Sequence, residues 1–106
     1  MTITSEKVIL AVDLGTSSMK VALITISGRV LGWEAKPVQI CITPDGGVQQ
    51  SPEEWWQAFL LAAGKLLQQN PEAARRVIAV CFSTQGEGTV AVDADVAEAP
   101  GGGLQH

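Results

Sequence analysis

A short, almost unbroken run of apolar residues, Val8–Leu14, most constrains what this chain can fold into. The run (VILAVDL) is rich in branched side chains, and such runs are typical of central strands that are covered on both faces of a sheet. A small polar turn at residues 13–18 ends it. Residues 19–26 then alternate between two sets of side chains, which predicts a second strand. These segments indicate a sheet at the core of the fold.

A third strand is predicted directly after the second. Ser27-Gly28-Arg29 reads as a tight turn in which Gly28 supplies the positive φ that hairpin turns favour. The next strand covers residues 30–35, with room to continue to residue 42. Three consecutive strands joined by short turns predict an antiparallel meander.

The clearest helix start in the chain lies after a loop at residues 43–47. Ser51 is a suitable N-cap, Pro52 suits the first helical position, and Glu54 completes a capping box. Asn70-Pro71 ends the helix, because proline cannot continue its hydrogen bonds. Seven residues at helical spacing predict one apolar face: Trp55, Trp56, Phe59, Leu60, Ala63, Leu66 and Leu67.

The predicted fold class is α/β with a mixed sheet and the element order β-β-β-α-β-β. Residues 77–82 form a fourth apolar strand, residues 83–88 a second polar turn, and residues 89–92 a short fifth strand. A parallel crossover through the helix places the ends of strands one and four at one edge of the sheet. Because ligands of open α/β sheets bind beyond the carboxyl ends of strands, we expect both polar turns to face one cleft.

Composition excludes several classes of protein. With 46% hydrophobic and 17% charged residues the chain is typical of globular proteins. Its net charge of −4 provides no basic surface for nucleic acid, and no apolar run approaches the roughly 20 residues that cross a bilayer. Cys41 and Cys81 lie inside apolar runs, so we expect buried, reduced thiols in a cytoplasmic protein.

The first polar turn has the side chains of a phosphate site. Gly15 allows close approach of the main chain, and Thr16, Ser17 and Ser18 add hydroxyl donors. Lys20 adds a positive charge if the alternation of strand two brings it to the same ligand. A carboxylate at Asp13, at the end of a buried strand, calls for a metal or a donor. The alternative is a plain hairpin that Asp13 caps and in which Gly15 fits the bend.

Two other features allow both a functional and a structural interpretation. Gln85 and Glu87 in the second turn have the groups that bind vicinal hydroxyls of a sugar, or they belong to a solvated connection. Adjacent helical residues point about 100° apart, so we expect one of Trp55 and Trp56 under the sheet and the other at its margin. Trp33 is expected to pack as well.

Three segments resemble a known family. Residues 13–20 (DLGTSSMK) resemble the first phosphate motif of the superfamily of sugar kinases, actin and chaperone ATPases, whose fold is ribonuclease-H-like. Residues 45–56 (DGGVQQSPEEWW) are similar to the stretch before the first helix of FGGY carbohydrate kinases, and residues 77–93 resemble the segment that follows it. The resemblance implies a half-domain of that fold, with residues 1–93 a partial N-terminal kinase domain and 94–106 a flexible or non-family tail.

The resemblance also implies roles for individual residues. Asp13 would help to hold Mg²⁺ with the phosphates, and Gln85 and Glu87 would contact a sugar or polyol. The residues expected to contact or lie near the phosphates of ATP are Gly15, Thr16, Ser17, Ser18 and Lys20. Gly86-Glu87 matches neither the Met-His of xylulokinase-like members nor the Arg-Glu of glycerol-kinase-like members, so the sugar stays open.

Members of the family continue well beyond 106 residues. The catalytic aspartate that deprotonates the attacking hydroxyl, and the adenine pocket, lie downstream of the segments matched here. We therefore expect an N-terminal fragment that contains no catalytic residue and is inactive by itself, its ending being an imposed boundary or a shifted reading frame. The alternative is a non-catalytic module that assembles with itself, as a homo-oligomer, or with another subunit through exposed sheet edges or an exposed face. A chaperone-like ATPase is disfavoured by residues 51–56.

Overall fold

A computed structural model of the chain describes residues 6–84, 90 and 92, and the backbone of residues 104–105. The elements follow one another along the chain as β1 (Val8–Leu14), β2 (Ser18–Thr25), β3 (Val30–Pro37), β4 (Cys41–Ile42), β5 (Val48–Gln50), α1 (Pro52–Gln69), α2 (Pro71–Ala74), β6 (Val77–Thr84) and β7 (Leu104–Gln105).

The main sheet has the strand order β3-β2-β1-β6. β1 pairs antiparallel with β2, and β2 pairs antiparallel with β3, so the predicted meander is confirmed. β1 pairs parallel with β6, which confirms the crossover through the helix and the mixed sheet of an α/β fold. A second, smaller sheet has the order β4-β5-β7.

Helix α1 covers one face of the main sheet. Successive side chains of a strand point to opposite faces, and β2 buries Met19, Val21, Leu23 and Thr25 while the residues between them are more exposed, as the alternation predicts. On α1 the buried positions are Ala58, Ala62, Ala63 and Leu66. Leu60 of the predicted apolar face is exposed instead. The face toward the sheet is therefore made largely of alanines, which let the helix approach closely.

The predicted ends of α1 are confirmed, with one change. The Ser51 hydroxyl accepts a hydrogen bond from the Glu54 N–H, 3.4 Å between Oγ and N. The Glu54 carboxylate does not complete the capping box, since it accepts from the backbone N–H of Gln39. It therefore ties the start of the helix to the segment after β3. At the other end Asn70 is the C-cap, and Pro71 begins α2.

The element order differs from the predicted one by short elements. β4 and β5 are two and three residues long and α2 has four, which is too short to leave a periodic pattern in sequence. The predicted strand at residues 89–92 and the tail at 94–106 lie largely outside the described residues. Of the tail, the backbone of Leu104–Gln105 pairs with β5. The division at residue 93 stays a prediction.

The burial expected for the second face of the sheet is wrong. β1 buries Val8, Leu10 and Val12 in the core that α1 also lines, but its alternate residues are half-buried or exposed. β6, expected to be a covered central strand, is exposed over nearly its whole length. The physical reason is that no described element packs on the face opposite α1, or beyond β6.

Individual side chains follow from this open arrangement. Trp33, expected to pack, is 65% exposed. Cys41 and Cys81, expected to be buried, are both exposed and unbridged. Trp55 packs partly against the core, whereas Trp56 lies at the margin with its ring 5.6 Å from that of Phe59, so the prediction for this pair is confirmed. Neither α1 nor α2 is long and apolar enough to span a bilayer.

Candidate phosphate site

The tip of the β1–β2 hairpin is closed by one backbone hydrogen bond. The N–H of Gly15 donates to the carbonyl of Ser18 over 3.0 Å, so this amide belongs to the turn. A Cβ placed on Gly15 would lie 3.4 Å from the Ser18 carbonyl oxygen, at the edge of ordinary van der Waals contact. Positive φ angles are seen at Gly28 and Gly46 among the described glycines, not at Gly15. The bend itself therefore does not require a glycine at this position.

Among the described residues, the next two amides of the tip have no partner. Across the described residues, no acceptor lies against the backbone N–H of Thr16 or Ser17, and both residues are exposed. Their carbonyls are held: Gln50 Nε2 donates to the Thr16 oxygen over 2.7 Å, and the Val38 N–H donates to the Ser17 oxygen over 3.0 Å. Backbone donors that point to open space at a turn, with hydroxyls beside them, are the groups that bind phosphate oxygens.

Asp13 and Lys20 face each other across the two strands. They are register partners in the β1–β2 ladder, so their side chains project from the same face of the sheet. Because Val12 and Val21 are buried against α1, this is the open face. The side chain of Lys20 therefore lies on the same face of the sheet as that of Asp13. Both side chains are exposed.

The expectation that Asp13 is a buried carboxylate is wrong. Its strand is buried on the helix side alone, and Asp13 belongs to the other side. In the described part of the chain its carboxylate accepts no hydrogen bond and forms no ion pair, so it does not cap the turn either. The plain-hairpin interpretation thus loses both of its supports, the capping carboxylate and the glycine that the bend requires.

The end of β6 lies at the same edge as the hairpin. Ser83 pairs with Asp13 and Thr84 pairs with Leu14, so the strands leading into the two polar turns end side by side, as predicted. Lys20, Asp13 and Ser83 form a row across β2, β1 and β6. Gln85 and Glu87 lie outside the described residues.

An open depression of about 490 Å³ lies below this row on the uncovered face. Besides the three polar residues, its lining includes Ala11, Ala22, Val30, Trp33 and Cys81. This largely apolar lining is suited to packing against apolar groups. The hydrogen-bond donors suited to phosphate lie at the hairpin tip, outside the depression. The depression and the tip are therefore two different surfaces that meet at Asp13 and Lys20.

Among the described residues, a metal at this site would have a single protein carboxylate, that of Asp13. No group of three or more histidine, cysteine, aspartate or glutamate side chains suited to a metal occurs among residues that the structure describes. Mg²⁺ commonly uses one or two carboxylates together with phosphate oxygens and waters. The exposed, uncommitted carboxylate of Asp13 fits that mode and does not form a metal cage by itself.

Sequence reasoning missed Gln50, whose side chain reaches the hairpin tip. Gln50 lies in the three-residue strand β5, directly before the Ser51 cap. Neither periodicity nor spacing singles it out. Its burial, which only the structure shows, is what marks it: Gln50 and Thr25 are the buried polar residues of the described chain.

Comparison with protein families matches residues 8–98 to the N-terminal domain of the FGGY family of carbohydrate kinases. The chain belongs to the FGGY family of carbohydrate kinases. This confirms the resemblance drawn from the three sequence segments.

Relatives within the FGGY family have several activities in their names. The chain is 29% identical over 89 residues to a xylulose kinase of Bacillus subtilis, covering 84% of this chain and 18% of the relative. It is 30% identical over 89 residues to a glycerol kinase of Nitrosomonas eutropha, with the same 84% and 18% coverage. Two different acceptors in these names leave the sugar or polyol undecided.

The fold is shared with solved FGGY kinases. The crystal structure of xylulose kinase from Rhodospirillum rubrum matches 93% of this chain and 20% of its own, with a TM-score of 0.84 and 19% identity. At that identity the likeness concerns the fold. The chain spans about 18% of the curated relatives quoted above.

Proposed function

We propose that this chain provides the phosphate-binding part of an ATP-dependent sugar or polyol kinase, as a ribonuclease-H-like half-domain that acts in the cytoplasm. The observation that carries the proposal is the hairpin tip. Two adjacent backbone N–H groups, at Thr16 and Ser17, lack intramolecular acceptors in the described chain. They follow a glycine that the turn itself does not need. These features are explained together by a ligand with anionic oxygens that approaches the main chain closely.

The residues of the site suit ATP and Mg²⁺. ATP would supply the phosphoryl group and Mg²⁺ would neutralise part of its charge. Thr16 and Ser17 would donate to phosphate oxygens through N–H and hydroxyl groups, with Ser18 beside them. Lys20 would add a positive charge on the open face. Asp13 would bind the metal, directly or through its waters.

The substrate side rests on the second turn. Gln85 and Glu87 would bind hydroxyls of a sugar or polyol, because an amide and a carboxylate together can donate and accept. β6 ends beside β1, which brings the start of this turn to the edge where the phosphates would lie. The general base is expected outside this chain. Positioning dominates phosphoryl transfer, so we expect binding without transfer from the chain alone.

The test is a titration of the ¹⁵N-labelled chain with ADP and Mg²⁺, followed by NMR. We expect the amides of Thr16 and Ser17 to show the largest shifts. In Asp13→Asn, binding should weaken and lose its dependence on Mg²⁺, whereas the exposed control Glu72→Gln on α2 should bind like the wild type. Unchanged amides at Thr16 and Ser17 on saturation would refute the phosphate site. Transfer of phosphate to a sugar by the isolated chain would contradict the expectation of binding without transfer.

A second candidate function is a non-catalytic module that assembles with copies of itself. The observation that favours it is exposed apolar surface on the main sheet, with Trp33 on the open face and Phe82 on the α1 side each 65% exposed. Analytical ultracentrifugation together with the ADP titration separates the candidates. Stable oligomers without nucleotide binding support the module, and nucleotide binding by a monomer supports the kinase part.

A further inference from the structure

Gln50 is a buried polar side chain that reaches into the candidate phosphate site. It is 2% exposed, and its Nε2 donates to the backbone carbonyl of Thr16 over 2.7 Å, across 34 positions of sequence. Burying an amide is unfavourable unless its groups are paired. Thr25, the other buried polar residue of the described chain, is accounted for by the β2–β3 turn, where its hydroxyl accepts from the Arg29 N–H. Gln50 instead acts on a distant loop.

Because the peptide bond is planar, the contact between Gln50 and the Thr16 carbonyl also determines where the Ser17 N–H points. The carbonyl of Thr16 and the N–H of Ser17 belong to one planar unit, and in a trans peptide they point in opposite directions. No cis peptide occurs in the described chain. When the Thr16 oxygen is turned toward Gln50, the Ser17 N–H is therefore turned away from β5. It is one of the two amides at the tip for which the described part of the chain offers no acceptor.

A second clamp acts on the following peptide. The Val38 N–H, just after β3, donates to the Ser17 carbonyl over 3.0 Å. The two carbonyls of the tip are thus fixed by two separate segments, one before α1 and one after β3. Of these two contacts, the one from Gln50 is made by a side chain.

We propose that Gln50 is a positioning residue of the phosphate site: it holds the Thr16–Ser17 peptide so that the Ser17 N–H faces the phosphate. This inference rests on the proposed function of the hairpin tip and deepens it. Gln50 touches no phosphate. It acts through the backbone of Thr16, so the hairpin is preorganised for an anion by a side chain outside the phosphate motif itself.

The test uses Gln50→Glu, which keeps the shape of the side chain and replaces the donor by a carboxyl group. When ionised, this group offers only acceptors to the Thr16 oxygen and repels it. When protonated, its O–H donates a hydrogen bond as the amide does. Burial raises the pKa of such a carboxyl group, so it can be protonated in mildly acidic solution. In this variant the pH therefore controls whether the hydrogen bond to the Thr16 carbonyl forms.

Binding of ADP and Mg²⁺ is measured by NMR titration for wild type and variant at about pH 8 and about pH 5, and the affinities are compared at each pH. We expect the variant to bind about tenfold more weakly at the higher pH. The ratio to wild type should return to within about threefold at the lower pH, as the hydrogen bond re-forms. Comparing variant with wild type at the same pH cancels the effect of the nucleotide's own protonation on the affinity. Gln49→Glu on the same strand is the matched control and should show a constant ratio.

A buried glutamine that serves stability alone would give a different result. The variant would lose folded protein, seen by circular dichroism and by thermal unfolding, while its folded fraction bound with the wild-type affinity at both pH values. That result overturns the inference and leaves the phosphate site intact. A wild type whose Thr16 and Ser17 amides ignore ADP overturns the proposed function, and the inference with it.

A readout without ligand covers the case in which a variant folds poorly at one pH. In the free protein, the amide shift of Ser17 should move in Gln50→Glu at the higher pH and return toward its wild-type value at the lower pH. Gln50→Leu, which has no donor at any pH, should keep the altered shift throughout. A Ser17 amide that keeps its wild-type shift in both variants overturns the inference.

Discussion

Small polar side chains fix the ends of elements in this chain, and Ser51 does so at the start of α1. Its backbone is extended (φ −94°, ψ 120°) and its hydroxyl accepts from the Glu54 N–H. A side-chain acceptor at this position satisfies one of the helical amides that have no partner within the helix. Since Gln50 comes immediately before it, the cap also anchors the residue that reaches the hairpin tip.

We expect Ser51→Ala to destabilise the chain by about 1 kcal/mol, because the Glu54 amide loses its acceptor. Ser51→Asp keeps an acceptor and should stay close to wild type. Urea unfolding followed by circular dichroism measures the difference. Equal midpoints for the alanine and aspartate variants would show that the cap contributes nothing.

The loop before β5 is held by the side chain of Asp45. The hydroxyl of Thr43 donates to its carboxylate, and the Gly47 N–H donates to the same oxygen over 3.2 Å. These hydrogen bonds hold the pKa of Asp45 below its ordinary value, and the one from Thr43 has the largest effect. A carboxylate whose pKa is lower in the folded than in the unfolded chain stabilises the fold above its unfolded pKa, and this contribution is lost as the pH falls through the folded value.

We expect Thr43→Val to raise the pKa of Asp45 toward its ordinary value, because it removes the hydrogen bond that lowers this pKa most. A carbon-detected NMR titration of the carboxyl groups measures it. Glu6 is the internal control: hydrogen bonding to Ser27 lowers its pKa, and Thr43 takes no part in that contact. An unchanged Asp45 titration in the variant would contradict the assignment.

At the scale of elements, the packing of α1 on the main sheet holds the fold together. Leu66 is 1% exposed and lies opposite Gly32 of β3, where an added Cβ would come within 3.2 Å of Leu66 Cδ1. The absence of a side chain at Gly32 and the alanines of α1 allow this close approach. Small residues on both partners thus set the distance between helix and sheet.

Leu66→Ala should cost about 2–5 kcal/mol of unfolding free energy, since it leaves a cavity at the centre of this contact. Leu61→Ala on the exposed side of the same helix is the matched control, with an expected change within about 0.5 kcal/mol. Chemical unfolding of both variants gives the comparison. Similar losses for the two leucines would mean that α1 is not packed as described.

Sequence patterns predicted the longer elements, because each carries a full period of apolar side chains. β1, β2 and the start of β3 follow from branched runs and a glycine turn, and α1 from its cap and its proline. The row of Asp13 and Lys20 follows from alternation once the pairing is known. β5 leaves no such pattern, and the contact of Gln50 with Thr16 depends on where that short strand lies in space.

At the scale of the whole molecule, one face of the main sheet and the β6 edge stay open among the described residues. Phe82 contacts α1 through Phe59, with ring centroids 6.1 Å apart, and is still largely exposed, as are Ile78 and Val80. Trp33 lies on the other face. Exposed apolar surface of this kind marks a place of interaction, and unpaired strand edges favour association.

We expect the chain to associate reversibly at high concentration, and Trp33→Gln to weaken this association. Sedimentation velocity over a range of concentrations measures it. Leu61→Gln also removes an exposed apolar side chain, but on α1 and away from the open sheet face, and should leave association unchanged. A chain that is monomeric at all concentrations would contradict this use of the open face.

Burial was the property that sequence predicted least well. An apolar run such as that of β6 reports what a strand can bury, whereas exposure depends on which elements lie against it. Cys81 and Trp33 were therefore expected in the core and are exposed, and Asp13 was expected to be buried and is not. The chain spans about 18% of the relatives quoted.

The position of β1 between an antiparallel and a parallel partner restricts how the gene can change. Deleting one residue within this strand would turn the residues on one side of the deletion to the opposite face of the sheet, while breaking register with β2 and β6 together. The loop at residues 43–47 has no such double constraint. Length variation in descendants of this sequence should therefore accumulate in that loop and be absent from the first strand.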